Sequence, residues 1–150
     1  YGNSENITAH RTTGEEILND MDRRSLERID YFFGAMGTSG SSQGITSALK
    51  KRNPDLVVVG IASAHGAYIQ GMRTRSELQS VALFDPTAYD AIVEVSAREA
   101  TQGRRWLKKC GISCGNSTGA VYACLRKYLK RHREVDKTVV FVCADSDKYY

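Results

Sequence analysis

Four short stretches of the chain are apolar at almost every position, and the segments between them place apolar residues at helical spacing. Leu56, Val57, Val58, Val59 and Ile61 make a nearly continuous, mostly β-branched run. Such a run predicts a strand buried on both faces, the habit of parallel sheets. Residues 29–33 and 91–95 predict two more strands, and residues 138–143 a fourth that reads as fully apolar. Before the first strand, Thr12 with Glu15, or Thr13 with Glu16, offers a capping box for a helix with Ile17, Leu18 and Met21 on one face. The charged stretch 22–28 ends that helix. A second helix over 45–52 turns Ile45, Ala48 and Leu49 inward and stops at Asn53, Pro54 and Asp55. From 62 to 90 the pattern loosens into loop or short helix, with a turn at Phe84, Asp85 and Pro86. Ser96 and Glu99 form a capping box for a helix reaching Lys109, and a last helix runs to His132. Strands alternating with helices predict a single α/β domain over 1–150, a Rossmann-like three-layer α/β/α fold with a mostly parallel sheet.

Sheets of this kind collect ligands at the carboxyl ends of their strands. Small polar residues cluster after Phe33, around Cys114 and after Cys143, and we expect all three clusters at strand ends. The first cluster is Gly37, Thr38, Ser39, Gly40, Ser41, Ser42, Gln43 and Gly44. It leaves a strand and opens a helix, so its backbone N–H groups lack partners and meet the positive end of the helix dipole. That combination makes an anion site, for phosphate above all. Thr38, Ser41 and Ser42 would add hydroxyl donors; the plainer reading is a tight turn rich in glycine.

The residues narrow the phosphate ligand. A Walker loop needs a lysine after its last glycine, whereas Gly40 and Gly44 are followed by Ser41 and Ile45. A dinucleotide site needs a carboxylate at the end of the next strand for the ribose, and the chain there reads Ile61, Ala62, Ser63, Ala64. A smaller phosphorylated ligand, held by amides and hydroxyls without a metal, remains.

Composition changes little. Hydrophobic content is 41% and charged content 25%, the mix of an ordinary globular domain. The net charge of +4 is spread out, and the basic run 126–133 keeps apolar residues spaced for a buried face. It therefore reads as the solvated side of a helix and not as a nucleic-acid surface. No apolar run approaches the ~20 residues that span a bilayer, and the polar residues 1–6 show no signal peptide. The four cysteines lack metal-ligand spacing and read as reduced thiols of a cytoplasmic protein. His10 reads as a packing residue at a helix start, Trp106 as a core anchor and Cys114 as a buried, inert thiol. His65 and His132 have no catalytic partners in sequence.

Taken in order, several motifs carry a resemblance. They are Asn3, Asn6, His10 and residues 13–17; the loop 37–41; Lys50, Lys51, Arg52, Asn53 and Pro54; Val58, Val59 and Gly60; the loop 111–120; and the tail 145–149. Through nearly its whole length the chain resembles cysteine synthase and cystathionine β-synthase. These are pyridoxal-phosphate enzymes of the tryptophan synthase β type (fold type II). The second loop, with Cys114 before Gly115, is more like the cystathionine β-synthase and phosphoserine-using branches. The resemblance implies pyridoxal 5'-phosphate as cofactor, its phosphate on Gly37, Thr38, Ser39, Gly40 and Ser41. It places Ser146, or Asp145 on a one-residue slip, at the pyridine nitrogen. A neutral hydroxyl there would suit elimination and replacement at the β-carbon of a serine derivative.

Two departures stand out. Ser39 occupies a position that is glycine in the family, and the family's glycine-rich mouth segment is not recognisable in 72–86. The cofactor lysine, the substrate-carboxylate loop and the small domain of such enzymes all precede the part matched here. The chain thus reads as the C-terminal portion of a longer enzyme. Its implied partners are the N-terminal remainder, an amino-acid substrate and a second copy in a homodimer, with no nucleic acid and no membrane. The alternatives are a non-catalytic module of the same fold with a regulatory or scaffolding role, and a nucleotide or sugar-phosphate binder on a generic sheet.

Overall fold

The apolar runs pair with one another as their two-sided burial requires. In the computed structural model, which describes residues 2–146, β1 (Tyr31–Ala35), β2 (Val57–Ser63), β3 (Ala91–Val95) and β4 (Val139–Phe141) form one parallel sheet in the order β3-β2-β1-β4. The register sets Tyr31 beside Val57 and Val139, and Val59 beside Ala91. Asp147, Lys148 and Tyr149 of the tail motif lie outside the described residues.

Alternation along the strands divides the interior in two. Phe32, Val58 and Ala62 join Met21 of α1 (Glu5–Arg23) and Ile45 and Leu49 of α2 (Gly40–Arg52) on one side. Tyr31, Phe33, Val59 and Ile61 join Ala100 of α4 (Ala97–Lys109) and Val121 and Cys124 of α5 (Asn116–His132) on the other. A single-turn helix α3 (Arg75–Leu78) and a 3-10 turn (Pro86–Ala88) interrupt the loose segment between β2 and β3. The expected three-layer α/β/α fold is present, and β3 falls on the predicted residues.

Several boundaries differ for physical reasons. α1 begins at Glu5 and not at Thr12, because Asn3 Oδ1 accepts the Glu5 amide at 3.0 Å and packing on α2 carries the helix onward. That packing is close: a side chain at Gly44 would strike Ile7 and His10, and one at Gly14 would strike Ile45 and Ala48. Thr12, Thr13 and His10 are consequently mid-helix. Helix α2 likewise starts at Gly40 instead of Ile45, so half of the small-residue loop is its first turn. The predicted strand 138–143 contracts to Val139–Phe141, half-buried at the sheet edge, with β1 as its one strand neighbour among the described residues. Trp106 is not a core anchor. α4 and α5 approach so closely at Gly103 and Gly119 that the buried face of α4 is Ala100, Gly103 and Leu107. Trp106 is half-buried, with the Arg126 guanidinium 4.3 Å from its ring centroid.

The strand order has a consequence for ligands. The chain moves outward from β1 to β2 to β3, then returns to the opposite edge at β4. The carboxyl ends of β1 and β4 therefore flank a topological switch point, the usual crevice for ligands in open α/β sheets. The cluster around Cys114 is not at a strand end, since residues 110–115 join α4 to α5. It reaches the crevice only through the first turn of α5.

Candidate functional site

The exit from β1 is fixed before the loop begins. The Met36 amide donates to the Ile61 carbonyl at 2.9 Å, and the Arg73 amide donates to the Met36 carbonyl at 2.9 Å. Gly37 then passes against the Gly71 carbonyl, where a Cβ would collide. Ser39 takes the N-cap position of α2 with φ +67°, in the left-handed region, and its side chain caps nothing. It is 2% exposed, and among the described residues its hydroxyl reaches no partner at hydrogen-bond geometry, with the Tyr89 hydroxyl the group it faces. The amides of Gly40, Ser41 and Ser42 have no acceptor within the helix. No acidic residue stands in the first turn of α2, while Lys50, Lys51 and Arg52 occupy the last. The dipole thus leaves its positive end uncompensated beside the carboxyl end of β1. These features fit an anion: amides without acceptors in the helix, and a helix N-terminus without an acid.

Two of the cavities that adjoin this turn bear on the site. One of about 430 Å³ lies at the switch point, bounded by Gly34 and Ala35 of β1, Ser41 and Ser42 of α2, and Ser117 and Thr118 of α5. α5 also starts without a side-chain cap, and Thr118, 1% exposed, has a hydroxyl with no partner among the described residues. The first turns of α2 and α5 therefore meet at one cavity, which Ser41, Ser42, Ser117 and Thr118 line. Cys143 also lines this cavity; partial burial and the Asp145 carboxylate lift its thiol above the usual range, so it remains protonated at neutral pH.

The second cavity, about 880 Å³, has Gly37 and Thr38 at its base and a wall that includes His65, Tyr68, Gly71 and Arg73. The resemblance looks for the family's glycine-rich mouth segment in 72–86, where it is not recognisable, and about half of this wall, from His65 to Gly71, precedes that range. Gly66 and Gly71, both at positive φ, form its turns and are the available signal. Tyr68 stands 86% exposed over it.

The predicted loop residues are thus brought together. Gly37 and Thr38 face the larger cavity, Ser41 the smaller, and Ser39 and Gly40 are buried between them. Asp145 accepts the Gly115 amide at 3.1 Å, which ties the tail to the start of α5; Ser146 follows, half-buried. Cys114 is buried, as expected. His10 lines the smaller cavity from α1, a placement hidden from the sequence because the capping pattern sets the helix start too late.

Residues 1–145 match the family model described as pyridoxal-phosphate dependent enzyme. The chain belongs to that family. It is 33% identical over 152 residues to cysteine synthase B of Pseudomonas aeruginosa, covering 99% of this chain and 49% of the relative. It is 27% identical to cystathionine beta-synthase of Dictyostelium discoideum, covering all of this chain and 32% of that protein. Among solved structures, a hydrogen sulfide-producing enzyme from Fusobacterium nucleatum superposes with a TM-score of 0.88 at 29% identity, over 99% of this chain and 52% of that one. The fold is that of the fold type II pyridoxal-phosphate enzymes, and the chain spans about half the length of the cysteine synthases it matches.

Proposed function

We propose that this chain is the cofactor-phosphate-binding portion of a longer enzyme that replaces the β-substituent of a serine derivative, in the manner of cysteine synthase or cystathionine β-synthase. The observation that carries the reading is the uncapped, acid-free N-terminus of α2 at the carboxyl end of β1, in a chain of this family. Gly37, Thr38, Gly40 and Ser41 would hold the phosphate through amides and hydroxyls, and Ser39 would shape the turn. Ser146 would meet the pyridine nitrogen, Asp145 being already engaged by the Gly115 amide. When bound, pyridoxal phosphate supplies the electron sink that lets a leaving group depart from the β-carbon of an amino acid. A hydroxyl at the ring nitrogen leaves that nitrogen largely unprotonated, which favours β-replacement over transamination.

The N-terminal remainder would contribute the cofactor lysine and the substrate-carboxylate loop, and the expected assembly is a cytoplasmic homodimer. The larger cavity, walled by His65, Tyr68 and Arg73, would admit the amino acid. The test is turnover by the full-length, cofactor-loaded protein, with O-acetylserine, O-phosphoserine or serine offered together with sulfide or homocysteine. Formation of cysteine or cystathionine is expected from at least one pairing. A loaded protein that turns over none of them would contradict the reading.

A further inference from the structure

A buried hydrogen-bond chain underlies the loop. Tyr89 stands between the 3-10 turn and β3, 8% exposed, with its ring stacked on Phe84 at a centroid distance of 6.2 Å. Its hydroxyl lies 2.6 Å from Ser42 Oγ, and Ser42 Oγ donates to the Ser39 carbonyl at 3.2 Å. Serine has one hydroxyl proton to give, and the carbonyl can only accept. With Ser42 giving that proton to the Ser39 carbonyl, Tyr89 is the donor to Ser42, and the chain runs from Tyr89 to Ser42 to the carbonyl; the Tyr89 hydroxyl also faces the Ser39 and Gln43 side chains. The Gln43 amide donates to the same carbonyl at 3.0 Å. Burial raises the Tyr89 hydroxyl above its usual range, so the proton is in place throughout neutral pH. The fit has no slack: a Cβ at Gly60 would crowd the Tyr89 ring and the Met36 sulfur, and one at Gly34 would crowd Ser42.

The geometry of the peptide unit turns this brace outward. In a trans peptide the carbonyl and the following N–H point to opposite sides. With the Ser39 carbonyl held by two donors, the Gly40 N–H is directed away from them. The same bonds offset the strain of a serine at φ +67°.

We propose that Tyr89, acting through Ser42, is a positioning residue that aims the Gly40 amide at the cofactor phosphate. This rests on the loop being the phosphate site of pyridoxal phosphate. Tyr89 itself touches no ligand, and its effect is confined to the phosphate end.

The test compares two probes on the full-length protein: pyridoxal phosphate, and pyridoxal, which has the same ring without the phosphate. In Tyr89→Phe, affinity for pyridoxal phosphate should fall about five- to tenfold, the worth of one hydrogen bond, while affinity for pyridoxal stays within about twofold. Ser42→Ala, which leaves the Tyr89 ring packing intact, should lose the same preference, and the double variant should lose little more. A role in folding alone would weaken both probes alike, which would overturn the proposal. If the wild-type protein does not prefer pyridoxal phosphate, the phosphate-site reading falls and the brace with it. If the wild type prefers it and the variants keep that preference in full, the brace alone is overturned. Should Tyr89→Phe fail to fold, Ser42→Ala decides.

Discussion

Ser39 carries a backbone that serine adopts at a cost. An L-residue in the left-handed region is disfavoured by about 1–2 kcal/mol, whereas glycine visits it freely and loses part of the gain to chain entropy. Ser39→Gly should therefore stabilise the protein by about 0.5–1 kcal/mol, read as a higher urea midpoint at unchanged slope. A lower midpoint would mean that the buried hydroxyl, which faces Tyr89, contributes more than the strain costs. The sequence marks Ser39 as out of place through the loss of close backbone approach, and the structure adds the positive φ. Tyr89 is not legible in the sequence at all. Its partner is 47 positions away, and nothing in residues 84–90 beyond a turn signal shows that one tyrosine hydroxyl braces the loop.

Among the elements, those whose signals are local are the most legible. The box of Ser96 and Glu99 forms in both halves, Ser96 Oγ accepting the Glu99 amide at 3.3 Å and Glu99 accepting the Ser96 amide at 2.9 Å. The start of α1 is not legible, because it depends on Asn3 and on packing against α2, neither of which a capping pattern reveals. The α4 box also predicts a pH response. Lys127 first, then the Ser96 amide, hold the Glu99 carboxyl at about 2, below the usual carboxylate range. A lowered folded-state value means the contribution is complete above the unfolded pKa of about 4.3 and is lost as pH falls from there toward 2. Glu99→Gln keeps an acceptor for Ser96 but removes the charge. It should flatten the loss of stability between about pH 4.5 and 2, by under about 1 kcal/mol because the pair is largely exposed. Urea midpoints at pH 7, 4 and 2.5 would show it; equal acid sensitivity in both proteins would contradict the assignment.

At the scale of the molecule, alternating strands and helices suffice for the parallel three-layer fold, but not for the strand order. The return from β3 to the far side of β1 involves contacts distant in sequence, and that return creates the switch point. β4 reads as long because its residues are apolar. Its half-buried faces and its place at the edge are properties of the neighbours, not of its own pattern. The chain spans about half the length of its relatives, and Val142 and Tyr68 are among its exposed large hydrophobic residues.

In the proposed function, residues 37–41 cradle the phosphate of pyridoxal phosphate. Phosphorus-31 NMR of the cofactor-loaded, full-length protein checks this placement, since a free phosphate monoester changes charge with a pKa of about 6. An ester held by the amides of α2 should stay dianionic, giving one resonance whose position does not move from about pH 5.5 to 8. A bound cofactor whose phosphorus resonance titrates like the free ester would contradict the claim.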